Sequence, residues 1–201
     1  MLNSDRFRQP AYQIRRKVFK IFGGSFDVYG PDGSLVLFAS QKAWKLREDI
    51  RLYGDKQKTE ELLLIKARNI IDFSAAYDVF DPQTDRKLGA FKRRGWSSLF
   101  RDSWIVMDEN DAEVGLVKED SAAMALLRRF LPLIPQTYHC EVNGAPVCTY
   151  KQNFNPFVYK LNIDFTEAGP APDKRLTIAG AVLLAAIEGK QSGGGGFNLG
   201  I

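Results

Sequence analysis

The sequence predicts a mainly β fold, a closed antiparallel barrel with an apolar α-helix threaded through it. Three observations lead there: a hairpin pattern that recurs along the chain, one strand with strict alternation, and a helix that is apolar on every face. The chain has 201 residues, of which 45% are apolar and 26% charged, which is typical of a globular protein and excludes wholesale disorder. We expect one domain over residues 1–191 and a flexible Gly-rich tail over 192–201.

The hairpin pattern consists of two apolar runs on either side of turn-forming residues. It first occurs at Phe26–Phe38, where Pro31 presets φ for a turn and Gly33 takes the left-handed position that follows. The same layout returns at Tyr77–Phe91, Trp104–Val117 and Cys140–Cys148. Four turn-centred hairpins in one chain predict an antiparallel β protein.

Other segments add strands and one short helix. Phe157–Phe165 alternates apolar and polar residues over its whole length, which is typical of a strand with one dry face and one wet face. Further strands are predicted at Tyr12–Phe22, Lys42–Tyr53 and Leu62–Ala67. Ser121–Leu131 carries good helix formers and stops before a proline, so it predicts a short surface helix over a barrel opening.

The segment Asp173–Gln191 is predicted to form the helix inside the barrel. Asp173 can cap its start, and Leu176–Ile187 is apolar on every face. Such a helix must be surrounded by lipid or by protein, and this run is shorter than the roughly 20 residues that span a bilayer. The helix is roughly 24 Å long, and a nine-residue strand tilted near 40° is roughly 23 Å high. A helix inside a closed barrel therefore matches both lengths and leaves no sheet edge exposed.

The order of these features resembles the tubby C-terminal-like superfamily, and is nearest to its LURP-one-related and phospholipid scramblase branches. The resemblance is carried by the hairpins, the Trp104–Asp108 turn, the strand Tyr159–Phe165 and the terminal run Lys174–Leu184. It covers Ala11–Gln191 and implies about 12 strands around a hydrophobic helix. Tubby proteins bind phosphoinositides and scramblases are credited with calcium-dependent lipid movement, so the resemblance implies a lipid-related role.

Clusters of basic residues are the candidate binding site. The formal net charge of +4 tilts weakly toward anionic partners, and Arg and Lys side chains bind phosphate oxygens. Trp96 stands among these cations, and Trp and Arg together suit the headgroup layer of a membrane. The predicted lipid- or anion-binding residues are Arg15, Arg16, Lys17, Lys20, Lys92, Arg93, Arg94 and Trp96. In the alternative interpretation, the basic runs and Arg128–Arg129 form a solvated outer wall that keeps the protein soluble. Trp96 then only packs its loop against the barrel.

The predicted function is a non-enzymatic intracellular binding module for phosphoinositide or other anionic lipid headgroups at a membrane surface. The alternatives are a protein-interaction or signalling scaffold without lipid binding, and scramblase-like lipid translocation. We expect a monomer without nucleic-acid partners, in the cytoplasm or peripherally on a membrane. The first ten residues lack an apolar stretch, so no secretory signal is expected.

Catalytic and metal motifs are not found in the sequence, and no cofactor is predicted. His139 is the only histidine, which excludes a multi-His site within one chain. Asp108–Glu113 begins like a calcium loop but has Ala112 at the fifth position and Glu113 where Gly is needed. Gly95–Leu99 lacks the second Gly of a nucleophile elbow, and no phosphate-binding glycine loop is present.

Cys140 and Cys148 share the last hairpin, around Asn143–Gly144. A two-residue loop puts Cys140 opposite Val147 and the two thiols on opposite faces of the sheet. A three-residue loop instead puts Cys140 opposite Cys148, close enough to form a disulfide. We expect reduced, structural cysteines, because two cysteines cannot form a disulfide framework.

Overall fold

A computed structural model gives the architecture of the chain. The structure describes residues 3–17, 24–41, 49–68, 76–94, 103–120, 136–153, 155, 158–166 and 173–191. Two helices and twelve strands lie in these ranges. The helices are α1 (Asn3–Arg6) and α2 (Lys174–Gln191). The strands are β1 (Ala11–Lys17), β2 (Gly24–Tyr29), β3 (Leu35–Gln41), β4 (Ile50–Tyr53), β5 (Glu61–Ala67), β6 (Ala76–Asp81), β7 (Arg86–Arg93), β8 (Ser103–Met107), β9 (Glu113–Glu119), β10 (Thr137–Val142), β11 (Ala145–Asn153) and β12 (Val158–Phe165).

The twelve strands form one closed antiparallel barrel, which confirms the predicted fold class. Each strand pairs with its sequence neighbours, and β1 closes the barrel by pairing with both β2 and β12. In the closing pair, Ile14 lies opposite Leu161 and Arg15 opposite Lys160. Closure leaves no unpaired edge that could add strands from another molecule.

Five short turns lie at one end of the barrel, which we call the turn end. They join β2 to β3, β4 to β5, β6 to β7, β8 to β9 and β10 to β11. In the first of them Gly33 has φ 77°, and Asp32 Oδ1 accepts hydrogen bonds from the Ser34 N–H and hydroxyl. A register shift accompanies each of these five hairpins, close to its turn. Such bulges increase strand twist and help the sheet close.

Helix α2 fills the lumen of the barrel. Asp173 caps it as predicted, since its Oδ1 accepts the Arg175 N–H at 3.0 Å. The residues from Leu176 to Ile187 are all buried, whereas Lys174 and Arg175 are only half-buried, so the enclosed stretch begins two residues later than the start of the helix. The Tyr150 hydroxyl, on β11, donates a 2.9 Å hydrogen bond to the Thr177 carbonyl inside the barrel.

Some predicted elements are shorter in the structure or lie outside the described residues. The strand predicted at Tyr12–Phe22 is described only as β1, and the one predicted at Lys42–Tyr53 only as β4. The predicted helix at 121–131 and the tail at 192–201 are outside the described ranges. Helix α1 was not predicted, because four polar residues carry no helical periodicity.

The hairpin of β10 and β11 has a two-residue turn, but its cysteines pair as expected for a three-residue loop. Its turn has two residues, Asn143 and Gly144, both with positive φ, and yet Cys140 lies opposite Cys148. The bulge between Cys140 and Glu141 shifts the register by one residue, so the expectation that a two-residue loop separates the thiols onto opposite faces is wrong. Both cysteines are free and 2% exposed inside the barrel.

Candidate anion-binding surface

The two basic runs that carry most of the predicted site lie at the same end of the barrel. Neighbouring strands are antiparallel, so all odd-numbered strands point the same way and finish away from the turn end. Arg15–Lys17 finishes β1, and Lys92–Arg94 finishes β7 and follows it. We call this end, where the odd-numbered strands finish, the basic end.

The runs nevertheless lie on opposite walls. In the closed order, β7 is six strands from β1 in either direction, so the outer faces of the two strands point away from each other. These two runs therefore do not form a single patch on one outer face of the barrel. They can meet one partner only if that partner covers the basic end as a whole.

Alternation along each strand divides both runs between the inside and the outside of the barrel. On β1, Arg16 is 6% exposed and faces inward with Tyr159, its register partner on β12. On β7, Arg93 lies opposite the buried Trp104 and is likewise on the inner face. Arg15 and Lys92 face outward. Arg16 and Arg93 thus belong to the mouth of the barrel, whereas Arg15 and Lys92 lie on its outer wall.

An aromatic ring lies beside Arg16, and the charge of Arg93 acts on the nearby Tyr77. The Arg16 guanidinium lies 5.6 Å from the centre of the Phe26 ring, and burial lowers its pKa from the usual value while Tyr159 opposes that shift. Burial raises the pKa of Tyr77, and the charge of Arg93 offsets part of that rise. A cation over the face of an aromatic ring is attracted by the ring quadrupole. The partly buried mouth of the barrel can therefore hold a positively charged side chain.

On the outer wall, Arg15 and Lys160 form a pair of like charges. They are register partners on β1 and β12 and share the outer face. The Arg15 guanidinium lies 4.5 Å from the Tyr29 ring centre and its Nε donates to the Gln13 side chain. Among the described residues, no carboxylate forms an ion pair with Arg15, Lys160 or Lys92. Like charges opposite one another are destabilising, which leaves this position suited to an external anion.

Other cations of the described residues are neutralised within the protein. The ion pairs include Arg51–Glu61, Lys56–Asp27, Arg68–Asp78, Lys87–Asp111, Arg86–Glu109, Lys118–Glu141 and Arg175–Asp81. Arg68 shows the effect most clearly, because the hydrogen bonds that it donates to the Asp78 carboxylate hold the pKa of Arg68 well above the usual value. Such pairs belong to the solvated wall of the alternative interpretation. Arg15, Lys92 and Lys160 are among the described cations that take no part in these pairs.

Charge differs strongly between the two ends. In the five turns of the turn end, the charged residues are Asp32, Asp55, Lys56, Lys58, Glu60, Asp85, Asp108, Glu109 and Asp111. At the basic end, each strand contributes the three residues nearest that end and any described residue directly beside them. The charged residues among these are Arg15, Arg16, Lys17, Asp49, Arg51, Lys66, Arg68, Asp78, Lys92, Arg93, Arg94, Lys118, Glu119, Asp120, Lys151 and Lys160. Basic residues therefore predominate where the two basic runs finish and acidic residues predominate in the turns, although the Arg68 guanidinium also reaches Asp111 of a turn.

Two predicted site residues, Lys20 and Trp96, lie outside the described residues, as does the side chain of Lys17. Lys160 was missed as a site residue. Its outward direction follows from the alternation of β12. Its neighbour across the barrel seam, Arg15, lies near the other end of the sequence, and only the register reveals the pair. 

The chain matches no known family model, and no curated protein matches it significantly. Membership of the tubby C-terminal-like superfamily therefore stays a prediction. None of the helices in the described ranges combines the length and hydropathy that a membrane span requires. Within the same ranges, no three His, Cys, Asp or Glu side chains come together as a metal site would need.

Proposed function

We propose that the protein is a binding module for anionic lipid headgroups and meets a membrane surface end-on, through the basic end of the barrel. The observation that carries the proposal is that both basic runs finish at one end, while acidic residues predominate in the turns of the other. An anionic surface orients such a dipole with its positive pole toward the lipid.

End-on docking is the arrangement that uses both basic runs. A bilayer laid against the side of the barrel would meet β1 or β7, but not both, because they occupy opposite walls. A bilayer across the basic end meets the rim that Arg15, Lys92 and Lys160 share, with Arg16 and Arg93 at its centre. Each basic residue near an anionic leaflet contributes about 1 kcal/mol to binding.

The acidic turns do not cancel this attraction. The two ends of a barrel of this size lie roughly 20 Å apart. That is more than two Debye lengths of about 8 Å at physiological ionic strength, so the turn end contributes little at the membrane. Binding is then set by the charge at one end and not by the net charge of +4.

Vesicle flotation with two charge-matched triple variants tests the proposal. Arg15→Ala/Lys92→Ala/Lys160→Ala removes three cations at the basic end, and Lys56→Ala/Lys58→Ala/Arg86→Ala removes three at the turn end. With phosphatidylserine vesicles at low salt, we expect the first to weaken binding about 100-fold and the second less than about threefold. Equal effects of the two variants would reject end-on docking.

Lipid composition then separates the sources of the anion. Vesicles with a phosphoinositide and vesicles with phosphatidylserine are compared at equal surface charge. Equal binding indicates recognition of charge density, and stronger binding to the phosphoinositide indicates recognition of headgroup phosphates. If wild-type protein binds neither at low salt, the proposal fails and the protein-scaffold alternative gains support.

A further inference from the structure

A cavity of about 460 Å³ opens at the turn end, on the side of the molecule opposite the proposed membrane contact. It lies where α2 enters the barrel, between the N-terminal segment and the end of β6. Its walls are Phe7, Arg8, Leu62, Asp81, Gln83, the cap residue Asp173 and the first two residues of α2, Lys174 and Arg175. The volume falls in the range of small-molecule sites, which often occur in the mouths of β-barrels.

The cavity exists because the N-terminal segment closes only part of this mouth. Arg6 donates hydrogen bonds of 2.8 Å to the Val36 and Gly54 carbonyls, which fixes α1 across the opening. The Tyr12 hydroxyl donates to the Arg6 carbonyl and accepts the Gln9 N–H, and burial raises the pKa of Tyr12 to about 12, so this donor stays protonated. The lumen beyond is filled by α2, and the gap beside the segment remains.

The charges around the cavity leave two cations available to a ligand. Arg175 neutralises both acids of the wall, because it contacts Asp81 and Asp173 at 2.6 Å each. The Lys174 ammonium lies 4.6 Å from the centre of the Phe165 ring and donates a hydrogen bond to the Gln9 carbonyl, and it retains further donors. Arg8 is exposed and forms no ion pair with any described residue.

The remaining wall is apolar. Leu62 is 4% exposed, and Phe7 packs against the core cluster. A site with cations on one side and an aromatic and an aliphatic side chain on the other suits a molecule that is charged at one end only.

We propose that this cavity binds a small amphipathic organic anion, with its carboxylate or phosphate toward Arg8 and Lys174 and its hydrocarbon part against Phe7 and Leu62. The site is separate from the basic end and does not depend on membrane binding. Its ligand class is distinct from a bilayer surface, because the half-enclosed space admits a single small molecule.

Octanoate serves as the probe, with neutral octanol of equal chain length as the comparison. Titration followed by amide shifts in NMR spectra should show saturable binding of octanoate, with the largest shifts at Phe7, Gln83 and Lys174. Octanol should bind about tenfold more weakly, because it lacks the charge that Arg8 and Lys174 recognise. Equal binding of octanol would overturn the assignment of an anion site.

Three variants complete the test. Arg8→Ala should weaken octanoate binding about tenfold and leave octanol binding unchanged, and because Arg8 is exposed the melting temperature should stay the same. Gln83→Trp should block both probes by filling the cavity from the turn. Arg86→Ala, at the same end but outside the cavity, should bind octanoate like the wild type. No saturable binding, or octanoate binding unaffected by Arg8→Ala, would reject the proposal. Vesicle flotation of Arg8→Ala should match the wild type, so this result and that for the basic end are independent.

Discussion

Gly180 on α2 lies directly against the ring of Phe91 on β7. A Cβ placed on Gly180 would be 2.5 Å from the Phe91 Cζ and 2.8 Å from its Cε1, closer than carbon atoms can approach. The missing side chain is what allows the helix to reach this wall of the barrel. Since Phe91 precedes the basic residues of β7, the same contact fixes the height of α2 relative to the basic end.

Gly180→Leu should destabilise the barrel by about 1–3 kcal/mol or more, because the added atoms must displace an aromatic ring in a filled lumen. Urea unfolding gives the free energy directly. Gly180→Ala should still be destabilising, although Ala favours a helix by about 1 kcal/mol over Gly. 

A double-mutant cycle identifies Phe91 as the cause. In a Phe91→Leu background, Gly180→Ala should cost less than in the wild type, since the smaller side chain makes room. An undiminished cost in that background, or wild-type stability for Gly180→Leu, would contradict the enclosed-helix arrangement.

The thiols of Cys140 and Cys148 should be unreactive in the folded protein. Burial raises the pKa of the Cys148 thiol, and the thiolate is the reactive form. We expect no labelling of either residue by a maleimide at pH 8, and complete labelling of both after unfolding in urea. Fast labelling of the native protein would show that the barrel opens. An intact mass lower by two hydrogens would show a disulfide in place of the reduced pair.

Asp81 should make the protein sensitive to acid. Burial favours the protonated form, but the Gln83 N–H and the Arg175 guanidinium outweigh it and hold the pKa of Asp81 below its usual value. A lowered carboxyl pKa contributes stability that is present above about pH 4, the unfolded value, and is lost as pH falls through the folded value. Asp81→Asn should therefore lower the free energy of unfolding by about 1–3 kcal/mol at pH 7.

The pH dependence of the stability of Asp81→Asn distinguishes the loss of a favourable charge from a general loss of packing. Between pH 5 and pH 3, Asp81→Asn should lose less stability than the wild type. Asp85→Asn, an exposed carboxyl in the same turn, is the matched control and should follow the wild-type profile. Parallel profiles for Asp81→Asn and the wild type would refute the assignment.

Lys160→Ala should stabilise the barrel while weakening vesicle binding. Removal of one of two like charges at the seam relieves a repulsion of a few tenths of a kcal/mol, up to about 1 kcal/mol. Lys118→Ala, which breaks the 3.2 Å pair with Glu141, should not stabilise. Thermal melts and flotation of both variants provide the comparison. A destabilised Lys160→Ala would mean that Lys160 has a structural role and is not held for an external anion.

The sequence predicts the frame of the molecule well, because its signals are local. The alternation in β12 and the all-round apolarity of α2 each follow from a few consecutive residues, and they are enough to define a barrel around a helix. The hairpin turns, with residues such as Gly33 and Asn143, are local in the same sense.

The candidate surface depends on pairings that are not local. Alternation on β1 places Arg16 on the face of the apolar Tyr12 and Ile14, but that Arg15 lies opposite Lys160 follows only from the register with β12. That β1 and β7 occupy opposite walls follows from closure of the whole sheet. The bulge at Cys140 moves a register by one residue, and neither Asn143 nor Gly144 signals it. The register, the closure of the sheet and the bulge are properties of the tertiary structure, and they determine which charged side chains can act together.

The most direct test of end-on docking uses an environment-sensitive dye at each end of the barrel. Ser103→Cys places the dye at the start of β8, at the basic end, and Asp32→Cys places it in the first turn of the turn end. On addition of phosphatidylserine vesicles, dye emission should shift to the blue at position 103 and stay constant at position 32. A blue shift at position 32, or equal shifts at both positions, would contradict end-on binding through the basic end.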